Sequence, residues 1–245
     1  MSTLEKIGFI ESFKIRTHEI DINKRIKIPS LVQLMQEASM SNAIKLGFSV
    51  WDLEDDSLSW VLIKKEINIT RLPNLGETIK VITYPSGLER LFAYRDFIVK
   101  DESGQIIVTA SSTWILMNVK TRKVVLPELV IPTPSDIIPL VRPSFKFPKV
   151  DRFDIETNFK VNWHDLDWNE HVNNIFILKC MLEGSPDKLL QNGSVKKIRI
   201  QFKTESFWKD SLISNFHFID DNHSLHSVTR QGDDKVIAMA ELFWN

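Results

Sequence analysis

Residues His164-Asp165-Leu166-Asp167-Trp168-Asn169-Glu170-His171 crowd two imidazoles, three carboxylates and a side-chain amide into one short stretch. Asp167, Asn169 and His171 are spaced two apart, which in an extended segment would point all three to one side. A carboxylate, an amide and an imidazole on one side can orient a water, hold a carbonyl and shuttle a proton. The stretch runs into the apolar segment 174–183, read as a helix whose free N-terminal N–H groups favour developing negative charge. Asp and Asn ahead of a helix are also ordinary capping residues. His164, Asp167 and His171 offer zinc-type ligands, but their spacing matches no standard metal pattern.

The same stretch occurs twice. Residues 13–39 align without a gap on residues 159–185. The identities are Phe13/Phe159, Lys14/Lys160, His18/His164, Asp21/Asp167, Asn23/Asn169, Met35/Met181, Glu37/Glu183 and Ser39/Ser185. Roughly one or two matches are expected by chance at typical residue frequencies. The chain therefore reads as two copies of one folding unit. Arg25 stands where His171 stands in the second copy. Arg25 cannot act as a base near neutral pH, so one working site is expected, in the second copy.

Both copies need the same supports. In the first, Pro29-Ser30 and Gly47 bracket a helix whose segment LVQLMQEASMSNAIKL carries only Glu37 and Lys45 as charges. So apolar a helix is expected to be enclosed. Strands follow by alternation, Val61, Ile63, Ile67 and Ile69 forming one face of the first. In the second copy strands are expected near 196–205, 211–219, 224–231 and 235–244. Six of the ten prolines fall between Pro127 and Pro148. Repeated proline makes this segment an extended linker, and its apolar residues should lie along the domain surfaces. The expected class is α+β: a tandem, or double, hotdog, each half an antiparallel sheet wrapped around one long helix. The expected domains are 1–126, the degenerate copy, a linker over 127–153, and the catalytic copy over 154–245.

Composition narrows the function. The 245-residue chain is 43% hydrophobic and 26% charged, with a formal net charge of −1. No overall field points to nucleic acid or to an anionic membrane. The single cysteine, Cys180, excludes an internal disulfide and fits a reducing compartment. No stretch approaches the ~18 apolar residues of a membrane span. The N-terminal MSTLEKIGFIESFK lacks signal or transit character, so a cytoplasmic protein is expected.

DLDWNEHVNN, followed by an apolar helix ending in LEGSP, resembles the DLDxNxHVNN signature of acyl-acyl-carrier-protein thioesterases from plastids and bacteria. Arg71-Leu72-Pro73-Asn74-Leu75-Gly76-Glu77 resembles that family's R-x-P-x-x-G-D/E turn. Trp114-Ile115-Leu116-Met117-Asn118 with Thr121-Arg122 resembles its W-x-M-N…TR strand. The resemblance implies a double hotdog that hydrolyses the thioester between a fatty acyl chain and the carrier's phosphopantetheine arm, with no cofactor or metal. It assigns catalytic roles to Asp167, Asn169, His171 and Glu205. Ser206 replaces the plant pattern's Cys, which favours an activated water over a covalent nucleophile. Strand alternation alone would leave Glu205 on a face opposite Ile198, Ile200 and Phe202, where Glu is usually just solvated.

The implied partners are the acyl carrier protein and a fatty acyl chain; the chain is expected to be a monomeric pseudo-dimer or a homodimer. Val32, Met35, Ala38, Ser39, Trp60 and Leu62 of the first copy suit an alkyl pocket, and equally suit plain core packing. Lys197, Arg199 and Lys203 are expected to project together and dock the acidic carrier; Lys64, Lys65 and Arg71 form a second basic group. An acyl-CoA thioesterase, a non-catalytic acyl-thioester binder and a dehydratase are the competing readings on this fold.

Overall fold

The computed structural model describes residues 8–131, 140 and 142–245, and the chain divides into two compact units, Met1–Pro143 and Ser144–Asn245. In the first unit β1 (Phe9–Lys14), β2 (Leu58–Ile69), β3 (Thr78–Glu89), β4 (Phe92–Lys100), β5 (Ile106–Asn118) and the short β6 (Lys123–Val125) are all antiparallel. Their order is β1-β3-β4-β5-β2, with β6 paired to β5. The long helix α1 (Ile28–Leu46) begins with Pro29 in its first turn and ends at Gly47, whose φ of 75° is the left-handed cap that glycine adopts freely. Leu31, Met35, Ala38 and Asn42 recur on one face of α1 and are buried. A short helix α2 (Val50–Leu53) follows, its N-terminus capped reciprocally by Ser49 and Asp52.

The expected β2 face does not run unbroken. A bulge between Leu62 and Lys64 passes over Ile63 and reverses the alternation. Leu62 is therefore followed on the inner face by Lys65, Ile67 and Ile69, all buried.

The second unit repeats the plan with β7 (Ile155–Lys160), β8 (Val195–Phe202), β9 (Ser211–Asp220), β10 (His223–Arg230) and β11 (Val236–Trp244), in the order β8-β11-β10-β9-β7. Its central helix α3 (Asn174–Glu183) packs on β9 and β10. A short helix α4 (Asp187–Asn192) had no clear sequence signal, since only Pro186 marks its start. Each unit is one sheet around one helix, so the chain is a tandem hotdog. Among the described residues, no helix is long and apolar enough to cross a membrane.

Residues 132–139 and 141 of the Pro-rich segment lie outside the described residues. The parts on either side are seated against the first unit. Leu140 N–H donates to Asp96 Oδ2 (2.7 Å), and the Arg142 guanidinium donates to Ser86 and stacks over the Tyr94 ring at 3.9 Å. Ile131 is buried.

Candidate active site

The motif stretch is a tight loop, not the extended segment that the two-residue spacing predicts. After a 3-10 turn over Trp163–Asp165, Asp167 and His171 close on each other: Asp167 N–H donates to His171 O (2.7 Å) and Glu170 N–H to Asp167 O (3.1 Å). Glu170 takes the left-handed conformation, φ 62°. Asp167 Oδ1 accepts from the backbone N–H of Asn169 (2.8 Å) and of His171 (3.2 Å). Asp167 is thus the brace of the loop, and it sets where Asn169 and His171 point.

The first copy makes the same loop. Asp21 Oδ1 accepts from the N–H of Asn23 (2.8 Å) and Arg25 (2.9 Å), and Lys24 has φ 61°. The turn before it is closed by Glu19 on Arg16 N–H, as Asp165 closes on Asn162 N–H in the second copy. The aspartate is required by the backbone in both copies; the histidine is not.

A second loop supports each motif. In the first unit Ile26 N–H donates to Pro73 O, Arg25 bridges to Asn74, and Gly76 N–H donates to Ile15 O. In the second, Val172 N–H donates to Ser206 O, His171 bridges to Phe207, and Lys209 N–H donates to Val161 O. These bonds equate Pro73 with Ser206, Asn74 with Phe207 and Leu72 with Glu205. The second copy therefore brings His171 and Glu205 together where the first has Arg25 and Leu72. His171 Nδ1 lies 3.7 Å from Glu205 Oε1, both side chains partly exposed, and the imidazole packs edge-on against Phe207. Glu205 sits in the loop beyond the end of β8, so strand alternation does not govern its direction.

Asn169 is half-buried, and its side-chain amide makes no hydrogen bond to the described residues. It remains available to a ligand carbonyl. Asn173 caps α3 by accepting from Ile175 N–H (2.9 Å). Ser206 is buried, and its hydroxyl donates to Asp210 Oδ2 (2.8 Å). Arg230 donates to the Glu205 carbonyl (3.3 Å) and to Asp210 (3.4 Å), fixing the loop from behind. Arg230, Asp210 and Phe207 escaped the sequence reading. The signal was present in the first copy, where the R-x-P-x-x-G-E turn is closed by Arg71 on Glu77 (2.9 Å) and on Asp101 (2.8 Å).

Cys180 is fully buried in α3, and desolvation pushes its thiol up to about 12, leaving it un-ionised. His164 is exposed and outside the His171–Glu205 pair. Among the described residues, no three His, Cys, Asp or Glu side chains cluster as a metal site.

The other sequence-picked residues fall as follows. Val32, Met35, Ala38 and Leu62 are buried, and Ser39 and Trp60 half-buried, with Trp60 Nε1 donating to Phe48 O (3.1 Å). On β8, Arg199 lies 3.7 Å from Glu241 on the facing strand and over the rings of Phe145 and Phe243. Lys197 is half-buried; Lys203, just beyond the strand, is exposed with its ammonium near Met239 Sδ (3.2 Å). In the first unit Lys65 is buried and Arg71 is tied to Glu77 and Asp101, so neither is a surface docking group.

Comparison with known proteins settles the family. Residues 6–131 match the acyl-ACP thioesterase N-terminal domain and residues 149–245 the acyl-ACP thioesterase C-terminal domain. The chain belongs to the acyl-ACP thioesterase family. A chloroplastic acyl-acyl-carrier-protein hydrolase of Cuphea viscosissima is 28% identical over 229 residues, 87% of this chain and 55% of that protein. A chloroplastic palmitoyl-acyl carrier protein thioesterase of Cuphea hookeriana is 28% identical over 234 residues, 86% of this chain and 55% of that protein. The chain thus spans about half the length of these plant relatives. An acyl-ACP thioesterase from Bacteroides thetaiotaomicron superposes with a TM-score of 0.86 at 23% identity, covering all of both chains. The 12:0-ACP thioesterase of Umbellularia californica gives 0.84 at 22% identity, covering 100% of this chain and 98% of that one. These structures share the fold of this acyl-ACP thioesterase family member.

Proposed function

We propose that this family member hydrolyses the thioester of a fatty acyl-acyl-carrier-protein and releases the free fatty acid. The observation that carries the proposal is the His171–Glu205 approach of 3.7 Å, found in the second copy where the first has Arg25 and Leu72. Glu205, with His171, takes a proton from water; the water oxygen attacks the thioester carbonyl; Asn169 stabilises the oxyanion. Collapse of the tetrahedral intermediate expels the pantetheine thiolate, which gains a proton as the fatty acid leaves. Asp167 acts through the loop it braces. The Ser206 hydroxyl is engaged by Asp210, which supports water as the nucleophile. This scheme requires neither metal nor diffusible cofactor.

The acyl chain is proposed to lie along α1 of the first unit, near Val32, Met35, Ala38, Ser39, Trp60 and Leu62. The acidic carrier is proposed to meet the side of β8 that carries Lys197 and Arg199, with the exposed Lys203 just past its end. The expected compartment is the cytoplasm.

The test is thiol release from acyl-carrier-protein and from acyl-CoA of equal chain length. Faster release from the carrier supports the proposal. Preference for CoA would make the chain an acyl-CoA thioesterase on the same fold, and binding without release would make it a non-catalytic acyl-thioester protein.

A further inference from the structure

The inner face of the first unit is not the uniformly apolar wall expected of an alkyl pocket. Lys65 and Arg95 both lie there, only 5% and 7% exposed. Ser112 on β5 pairs with Arg95 on β4 and with Lys65 on β2. The three residues form one row across three strands, with the cations' backbones roughly 10 Å apart at ordinary strand spacing.

Arg95 Nη1 donates to Asn42 Oδ1 of α1 (2.7 Å), so this row faces the helix. Asn42 lies one turn beyond Ala38 on the same helical face as Met35. The Lys65 ammonium lies 5.1 Å from the centre of the Phe97 ring. Among the described residues, the inner-face positions of β2, β3, β4 and β5 carry no carboxylate. Asp96 and Glu66 alternate to the opposite face, where Asp96 accepts from Leu140 N–H. Glu11 of β1 is on the inner face, but in the row of Val81 and Val99, away from Arg95. Burial alone pushes Lys65 down to about 8 and Arg95 down to about 10.

Two desolvated cations without a carboxylate are costly to a fold, and replacing such groups by apolar residues is commonly neutral or stabilising. A ligand anion would repay that cost. We propose that Lys65 and Arg95, with Asn42 beside them, form a binding row for a carboxylate borne on an aliphatic chain lying between α1 and the inner face of the sheet. The apolar residues Met35, Ala38 and Leu62 take the chain and the cations take its charged end. This placement rests on the proposed acyl-binding role of the first unit. Two sources could supply the group: a released fatty acid, or an acyl chain with a second carboxylate at its far end.

Calorimetry on the full chain with decanoate and decan-1-ol tests the row without requiring turnover. The expected result is acid bound at least about tenfold tighter than alcohol, with the difference lost in Lys65→Met and in Arg95→Met and kept in Arg95→Lys. Melting curves identify any variant that fails to fold. His171→Ala should leave the preference intact. Equal affinity for acid and alcohol, a preference unchanged in folded Lys65→Met, or one lost in His171→Ala would overturn the proposal.

Kinetics then separates the sources. Inhibition by decanoate that Lys65→Met relieves identifies the released acid; a kcat/KM advantage for an ω-carboxyacyl pantetheine thioester, lost in the same variant, identifies the acyl end. Binding as expected without thiol release from any acyl thioester would remove the hydrolase reading and leave the row standing. Thiol release without carboxylate preference would do the reverse.

Discussion

His171 Nδ1 stands 3.7 Å from Glu205 Oε1 at the junction of two loops, and the equivalent positions in the first copy hold Arg25 and Leu72. Two substitutions separate the proposed proton-transfer pair from its structural duplicate. His171→Ala and Glu205→Gln should each lower kcat by about 10²–10⁴-fold, the range for losing a positioned acid–base group. Circular dichroism should stay unchanged. Near-normal turnover in either folded variant would remove that residue from the chemistry.

Asp21 and Asp167 each brace a loop by accepting two backbone N–H bonds. Asp21→Ala and Asp167→Ala should destabilise the chain by similar amounts, on the order of 1–3 kcal/mol, because each leaves amide donors without acceptors. Only Asp167→Ala should also reduce turnover at temperatures where both variants are folded. Denaturant midpoints and kcat, measured together, check this. Equal activity losses would mean that the first loop also serves the reaction.

Ser206 stands at the plant pattern's Cys position, buried, with its hydroxyl donated to Asp210. Ser206→Ala should retain kcat within several-fold and lose stability by ~1 kcal/mol, the net worth of one hydrogen bond. A collapse of activity with the fold intact would indicate a covalent acyl-serine route, and a trapped acyl-enzyme would then appear by mass spectrometry.

His226 gives an acid limit to stability. It is fully buried; Nδ1 lies 3.1 Å from Met181 O, and Nε2 2.8 Å from Ser224 Oγ, which in turn accepts from Trp244 Nε1 (2.7 Å). Burial pushes the imidazole down to about 3, against about 6.5 unfolded. Between these values the unfolded chain binds the extra proton, so stability falls as pH drops from about 6.5 to 3 and is fully present above that window. Urea midpoints at a series of pH values should show this slope. His226→Leu should be less stable at pH 7, because Met181 O and Ser224 Oγ each lose the imidazole as a partner, and should show a shallower acid slope. An unchanged slope would place the acid sensitivity elsewhere.

Lys203 is exposed near the end of β8, whereas Arg199 is engaged by Glu241. Lys203→Glu should raise KM for acyl-carrier-protein more than for a short acyl-pantetheine, and added salt should shrink the difference, as for charges acting on encounter. Equal effects on both substrates would place the carrier elsewhere.

The sequence disclosed what depends on local pattern. The Pro29 start and Gly47 stop delimit α1, and the 174–183 helix was visible as an apolar run between Asn173 and Gly184. The duplicated motif singled out His171 because Arg25 replaces it. What stayed hidden depends on long-range pairing. The bulge at Ile63 puts Leu62 on the face of Lys65, Ile67 and Ile69, where strict alternation puts Val61 and Ile63. The Asp167 loop looked extended because its curvature comes from a left-handed Glu170, a conformation its residue type does not announce. Glu205 leaves the strand pattern once β8 ends at Phe202, and only the second loop carries it back to His171.

The most direct measurement is single-turnover thiol release from a panel of acyl-carrier-proteins by the wild-type chain, His171→Ala and Arg25→Ala. The wild type should release thiol and free fatty acid in equal amounts. His171→Ala should lose about 10²-fold or more of that rate, and Arg25→Ala should keep it within several-fold. No release by the wild type, or equal losses in the two variants, would contradict a hydrolase with one working site in its second copy.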